Sequence, residues 1–294
     1  MKGKKKPLGT KAEIRALKER ERRIAAAILL AIILFTIALS AYFAYTILSP
    51  STSFSFVEPT LQFKPENANP EFRAAIVDQV SLTYPNQAFV ETAANTLKQA
   101  GYTVDYYAGE NVTVEFYRNL PAYGYRLIIL RVHAAGTPVI GSAELVLFTS
   151  EPYSETKYAL EQLKQQVGGV ADSAGSPIYF GISPNFVREC MKNRFINATI
   201  IMMGCDGLKG TEMAKAFIEK GADVYIGWND SVSTGQTDQA TTVLLQRLIL
   251  GKHTIGLAVK DVMKEVGPDL AYNSQLTYYP AEAEEQTIEN IGKS

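Results

Sequence analysis

Between Ile24 and Leu48 the chain runs for 25 residues without a charged side chain, in a stretch dominated by Ala, Ile and Leu. A helix needs about 20 apolar residues to cross the hydrocarbon core of a bilayer, so this run is long enough to span with some tilt. Tyr42 and Tyr45 fall near its far end, where amphipathic rings favour the membrane interface. A core helix of a globular domain would show a polar face over such a length. The apolar core of a cleaved signal peptide is shorter, about 7–15 residues. The run therefore reads as an uncleaved transmembrane helix, and the rest of the chain must fold on one side of it or the other.

The charge distribution orients that helix. The whole chain has a formal net charge of −1, yet residues 1–23 hold ten Lys and Arg against three Glu. Basic flanks stay on the cytoplasmic side, so this leader is expected in the cytoplasm and the C-terminal body outside it, in a single-pass arrangement. The body is correspondingly acidic, which argues against a nucleic-acid partner. Asn111-Val-Thr, Asn197-Ala-Thr and Asn229-Asp-Ser match the glycosylation acceptor pattern, which matters only for a body on that side.

Residues 49–73 are rich in Ser, Pro and Asn and read as a stalk. From Ala74 to Pro280, short apolar runs alternate with amphipathic stretches. Strands are expected at Ala74–Val80, Tyr102–Tyr107, Leu127–Val132, Ile178–Ile182, Ala198–Gly204, Ala222–Trp228 and Gln275–Tyr279. Ser142–Phe148 is expected to form a hairpin with the residues around Pro138–Ile140. Helices are expected at Phe89–Ala100, Val112–Leu120, Thr156–Val167, Phe186–Lys192, Gly210–Lys220, Thr234–Leu250 and Thr254–Val266. This alternation predicts one α/β domain over 74–280, with a mostly parallel sheet and helices on both faces. The acidic tail 281–294 is expected to fray.

Two of the apolar runs stop abruptly at a reactive side chain. Arg126–Val132 is followed by His133, and Ile200–Gly204 by Cys205, in a chain with only two His and two Cys. In open α/β sheets, sites are built at the carboxyl ends of strands, and a thiol nucleophile needs a base within reach. The pair reads as a candidate nucleophile and its base. Each also has a plainer role, His133 as a polar loop residue and Cys205 as a small core side chain. Cys190 reads as a buried thiol not bridged to Cys205, His253 as a surface or capping residue, and Trp228 as packing. These His and Cys spacings match no zinc pattern, and Gly207-Leu-Lys-Gly210 lacks the spacing of a phosphate loop. No metal or other cofactor is therefore expected.

The order of these pieces resembles the caspase-like clan of cysteine peptidases, above all its gingipain-like and CHAT-like members. The resemblance rests on Leu127-Ile-Ile-Leu-Arg-Val-His133, Ile200-Ile-Met-Met-Gly-Cys205, Gly221-Ala-Asp-Val-Tyr-Ile-Gly-Trp228 and Leu250-Gly-Lys-His-Thr-Ile-Gly-Leu-Ala258. It covers roughly Ala74 to Pro280. It implies a caspase-like α/β fold, a peptide or protein substrate, Cys205 as nucleophile, His133 as general base and acid, and an oxyanion hole from the N–H groups of Cys205 and Ala134. The clan places Gly after the histidine, whereas this chain has Ala134, which cannot take up glycine's positive φ cheaply. Asp206 and Asp230 flank strand ends and are candidates for an acidic specificity pocket that would favour Lys or Arg; turn or capping roles are the plainer account of both.

The expectation is thus a membrane-anchored cysteine endopeptidase. Two other readings stay open. One is a catalytically silent caspase-like domain used for binding or scaffolding, which Ala134 favours. The other is a membrane-anchored ligand-binding domain of flavodoxin-like architecture, with Cys205 simply buried.

Overall fold

The computed structural model describes residues 72–136, 145–173 and 175–290, together with Thr36. The leader at 1–23 and the stalk up to residue 71 lie outside the described residues, as does the span expected at 24–48 apart from Thr36. Among the described residues no helix is long and apolar enough to cross a membrane. The chain divides into Met1–Gln62 and Phe63–Ser294, and the fold below is that of the second unit.

Its centre is a six-stranded sheet ordered β10-β9-β8-β3-β1-β2. The strands are β1 (Arg73–Asp78), β2 (Thr103–Ala108), β3 (Leu127–Arg131), β8 (Ala198–Met202), β9 (Ala222–Trp228) and β10 (Leu276–Tyr279). All neighbours pair in parallel except β10, which runs antiparallel to β9. β3 and β8 are buried along their whole length, as expected of parallel strands covered on both faces. Ile128 and Leu130 point into one core, Leu127 and Ile129 into the other, because successive side chains alternate across a sheet.

Helices cover each face. Against one lie α1 (Gln87–Gln99), α6 (Thr234–Leu245) and α7 (Ile255–Glu265); against the other lie α2 (Val114–Asn119), α4 (Pro184–Glu189) and α5 (Glu212–Glu219). Side-chain caps start several of them. Asn86, Thr113, Ser183 and Thr254 accept hydrogen bonds from the N–H groups of Phe89, Phe116, Phe186 and Leu257, satisfying donors that a helix start leaves open. α6 continues as a π-helical turn over Gln246–Leu250.

The mostly parallel sheet expected is joined by a second sheet. A separate antiparallel sheet, ordered β4-β5-β7-β6, packs on the face that carries α2, α4 and α5. Its strands are β4 (Ala134–Gly136), β5 (Leu145–Pro152), β6 (Val167–Val170) and β7 (Tyr179–Ile182). Ala134–Gly136 pairs with β5, and the hairpin partner expected around 138–140 lies outside the described residues. The helix expected over Thr156–Val167 shrinks to α3 (Ala159–Leu163), and Val167 opens β6 instead. Gly168 and Gly169 explain this. They disfavour helix, and Gly168 lies opposite Gly181 of β7, where a Cβ on Gly181 would press 2.8 Å from Val170.

The stalk boundary moves as well, since Arg73 already pairs in β1. The tail does not fray over its described part. Ala283 and Ile288 are buried in the same core as α1 and α7, so apolar burial outweighs the acidic character of the segment.

Candidate functional site

Leu130 of β3 and Met202 of β8 are register partners in adjacent parallel strands. His133 and Cys205 stand the same number of residues beyond that pair, so both emerge on one rim of the sheet. The ladder continues as Met203 N–H donates to the Leu130 carbonyl at 2.9 Å. A Cβ on Gly204 would collide with the Val132 carbonyl oxygen and approach Ala134 Cβ to 3.3 Å. Only a residue without a side chain brings the backbone ahead of Cys205 this close to the backbone around His133.

The two side chains line one small cavity of about 40 Å³, together with Gly204, Val232, Arg131 and Val80. Its volume is an order of magnitude below that of a typical ligand pocket, so a peptide would have to lie over the rim rather than in it. Their immediate partners are not each other. His133 Nε2 faces Thr83 Oγ1 at 3.4 Å, and Nδ1 faces the Asp172 carboxylate at 3.8 Å. The Tyr84 ring packs edge-on to the imidazole, and the Gln79 side chain accepts the His133 backbone N–H at 2.9 Å. The Cys205 thiol donates to the Val232 carbonyl at 3.6 Å and accepts from the Val232 N–H at 3.5 Å.

Burial sets the charge state of both groups. It pushes the Cys205 thiol above its ordinary value, while the Val232 backbone hydrogen bond works the other way and Asp206 adds to the rise. Burial holds His133 below 6.5, opposed by Asp172 and reinforced by the Arg131 charge. The resting pair at neutral pH is a neutral thiol and a neutral imidazole. In such a pair the thiol becomes a nucleophile only once it has passed its proton to a base.

Ala134 opens β4 and has no positive φ, so the strain anticipated at this alanine is absent. The His133 carbonyl accepts from Phe148 N–H at 2.9 Å, and Ala134 lies opposite Leu147. By antiparallel alternation the Ala134 N–H points away from β5, on the side of β4 that no strand pairs among the described residues.

Asp206 and Asp230 do come together, but with a cation between them that the sequence reading missed. Lys209 Nζ lies 2.7 Å from Asp230 and 3.6 Å from Asp206. Its hydrogen bond holds the Asp230 carboxyl below the usual range, while burial raises that of Asp206. Asp206 sits in left-handed backbone at φ 58°, its N–H donating to the Asp230 carbonyl, which is the turn role open to such a residue.

Behind the rim lies a second unforeseen cluster. Arg131 is fully buried and donates to Asp78 at 2.7 Å and to both oxygens of Asp238 at 2.8 and 2.9 Å. Tyr106 and Asn86 complete the two carboxylates. This network ties β1, β3 and α6 together directly behind His133. Cys190 and Cys205 are both free. Trp228 is buried, with its N–H on Thr237, and His253 lies near Asp261 at the start of α7. Among the described residues, no three His, Cys, Asp or Glu side chains gather as a metal site.

No protein-family model and no curated protein matches this chain. Among solved structures, it is similar to a crystal structure of the Arg-specific cysteine proteinase gingipain R, with a TM-score of 0.43 and 13% identity. That match covers 76% of this chain and 44% of gingipain R, so the chain spans less than half of that protein's length.

Proposed function

We propose that this chain is a cysteine peptidase of the caspase-like kind, held at a membrane by Ile24–Leu48 with its catalytic body outside the cytoplasm. One observation carries the reading: His133 and Cys205 follow adjacent parallel strands at matching register and line the same cavity. In this reading the thiol gives its proton to His133 as sulfur bonds to the scissile carbonyl carbon. The resulting oxyanion faces the N–H groups of Cys205 and Ala134. The tetrahedral adduct then collapses, and the amine leaves with the proton from His133. Water, activated by the same imidazole, attacks the thioester and frees the acid and the thiol. Asp172 orients His133 from the Nδ1 side. Asp206 and Asp230 supply a specificity surface that Lys209 partly neutralises.

The decisive experiment is peptide-library cleavage by the full chain in detergent or vesicles. Cys205→Ala and His133→Ala should each abolish turnover with the fold retained. Cleavage by Cys205→Ala at the wild-type rate would sink the peptidase reading. The orientation has its own test: protease added to intact cells or sealed vesicles should digest the body while sparing residues 1–23, and a protected body would reverse it.

A second reading has specific support. Both ring nitrogens of His133 face partners other than Cys205, and the resting thiol and imidazole are neutral. A silent caspase-like binding module would show just this pairing, and it takes precedence if no library peptide is cut by folded wild-type protein.

A further inference from the structure

Cys205 is gripped by backbone, and that backbone is itself gripped by a segment far along the chain. Val232 meets the thiol with both its N–H and its carbonyl. The next residue, Ser233, donates its N–H to Asp269 Oδ2 at 2.8 Å. Asp269 is buried, and its other oxygen accepts from Ala271 and Tyr272 N–H at 2.8 and 3.0 Å. Asp269 N–H bonds the Ser274 carbonyl, and its own carbonyl accepts from Asn273 N–H. The same segment is fastened at its two ends. Gln236 donates to the Gly267 carbonyl, and Gln275 and Asn229 exchange two hydrogen bonds.

This turn contributes little apolar packing of its own. Leu270 is 99% exposed and Tyr272 55%. Its inward side is an array of hydrogen bonds centred on one carboxylate, aimed at the backbone that holds Cys205.

We infer that Asp269 is a positioning residue for Cys205, fixing the Val232–Ser233 backbone so that the Val232 N–H stays on the sulfur. The inference rests on Cys205 being the reactive thiol of the proposed function, but its test needs no substrate. Cys205 is the only thiol left in a Cys190→Ala background, so alkylation followed against pH reports on it alone. The midpoint reports ionisation of the thiol, and the plateau rate reports access.

Without the Asp269 anchor the Val232 N–H drifts from the sulfur, and the thiolate loses a donor. Asp269→Ala should move the midpoint up by about one pH unit, which slows alkylation below the midpoint by about ten-fold. Asp269→Asn removes the charge and keeps only one acceptor oxygen for the Ser233, Ala271 and Tyr272 N–H groups, so its midpoint should rise less than that of Asp269→Ala. The pair separates anchoring from simple electrostatics, because loss of a nearby negative charge alone would move both midpoints down. Ser233→Pro deletes the same hydrogen bond from the other side. Ser233 already has φ −70°, which proline adopts, and the variant should shift the midpoint as Asp269→Ala does. It keeps the test open if Asp269→Ala does not fold. A midpoint unchanged in the folded variants, with only thermal stability lowered, would overturn the inference and leave Asp269 a structural turn residue. A peptidase that fails to cut any peptide would overturn the function and leave these midpoints unaffected.

Discussion

The α-carbon of Gly204 packs against the carbonyl oxygen of Val132, in a space where no Cβ fits. This single backbone contact sets the strand end before Cys205 against the strand end before His133. Gly204→Ala should therefore force the two ends apart. Overpacking of this kind costs about 1–3 kcal/mol, read as a lower denaturant midpoint. Gly210→Ala is the control, since a Cβ there meets nothing within 4 Å, and it should leave the midpoint nearly unchanged.

The Arg131 cluster makes a second prediction. Arg131→Met removes the cation and leaves Asp78 and Asp238 buried side by side. Removing one partner from a buried ionic network costs about 3–5 kcal/mol. Adding Asp78→Asn and Asp238→Asn to Arg131→Met should recover much of that loss in chemical denaturation. A triple variant no more stable than Arg131→Met would show that packing of the guanidinium, not charge, dominates.

His133 should leave a mark on stability at mildly acid pH. Its folded value lies below 6.5, chiefly through burial. An unfolded chain therefore binds a proton at this residue in a window, from about 6.5 downward, where the folded chain does not. The unfolded state holds more protons there, so this residue's contribution to stability falls as pH drops through that window. The stability gap between wild type and His133→Gln should shift against wild type between pH 7.5 and 5. Asp172→Asn removes the charge that raises the His133 value and should enlarge the shift. Urea midpoints across that range are the measurement.

Lys209 offers a test of the acidic pair. Lys209→Ala frees Asp230 and Asp206 from their shared cation. If these carboxylates read basic side chains, the variant should cleave Lys- or Arg-containing peptides severalfold faster than wild type, with other peptides unaffected. Equal or slower cleavage of basic peptides would leave both aspartates as turn residues.

Much of the main sheet could be read from the residues. The apolar runs at Leu127–Val132 and Ala198–Gly204 are too short for helices and too continuous for exposed strands, and both became buried parallel strands. The abrupt ends at His133 and Cys205 drew attention to the rim for the same reason. β4 and β6 escaped notice. Ala134–Gly136 is three small residues, and Val167–Val170 holds two glycines that look like a loop until Gly181 arrives opposite them. Lys209, Asp172 and Asp269 gave no local signal either, since a lone charged residue in a turn usually faces water.

The sequence by itself determined the elements whose pattern repeats over several residues: buried strands, amphipathic helices, and the charge step around Ile24–Leu48 that predicts an anchor. Periodicity and charge are properties of neighbours along the chain, so they survive without coordinates. Only the tertiary structure decided which strands adjoin, that His133 and Cys205 share a register, and that Val232 rather than His133 touches the thiol. Those facts depend on pairs such as Leu130 with Met202 or Ser233 with Asp269. Residues that far apart in the chain are brought together by closing long loops, at an entropic cost that only the assembled core offsets.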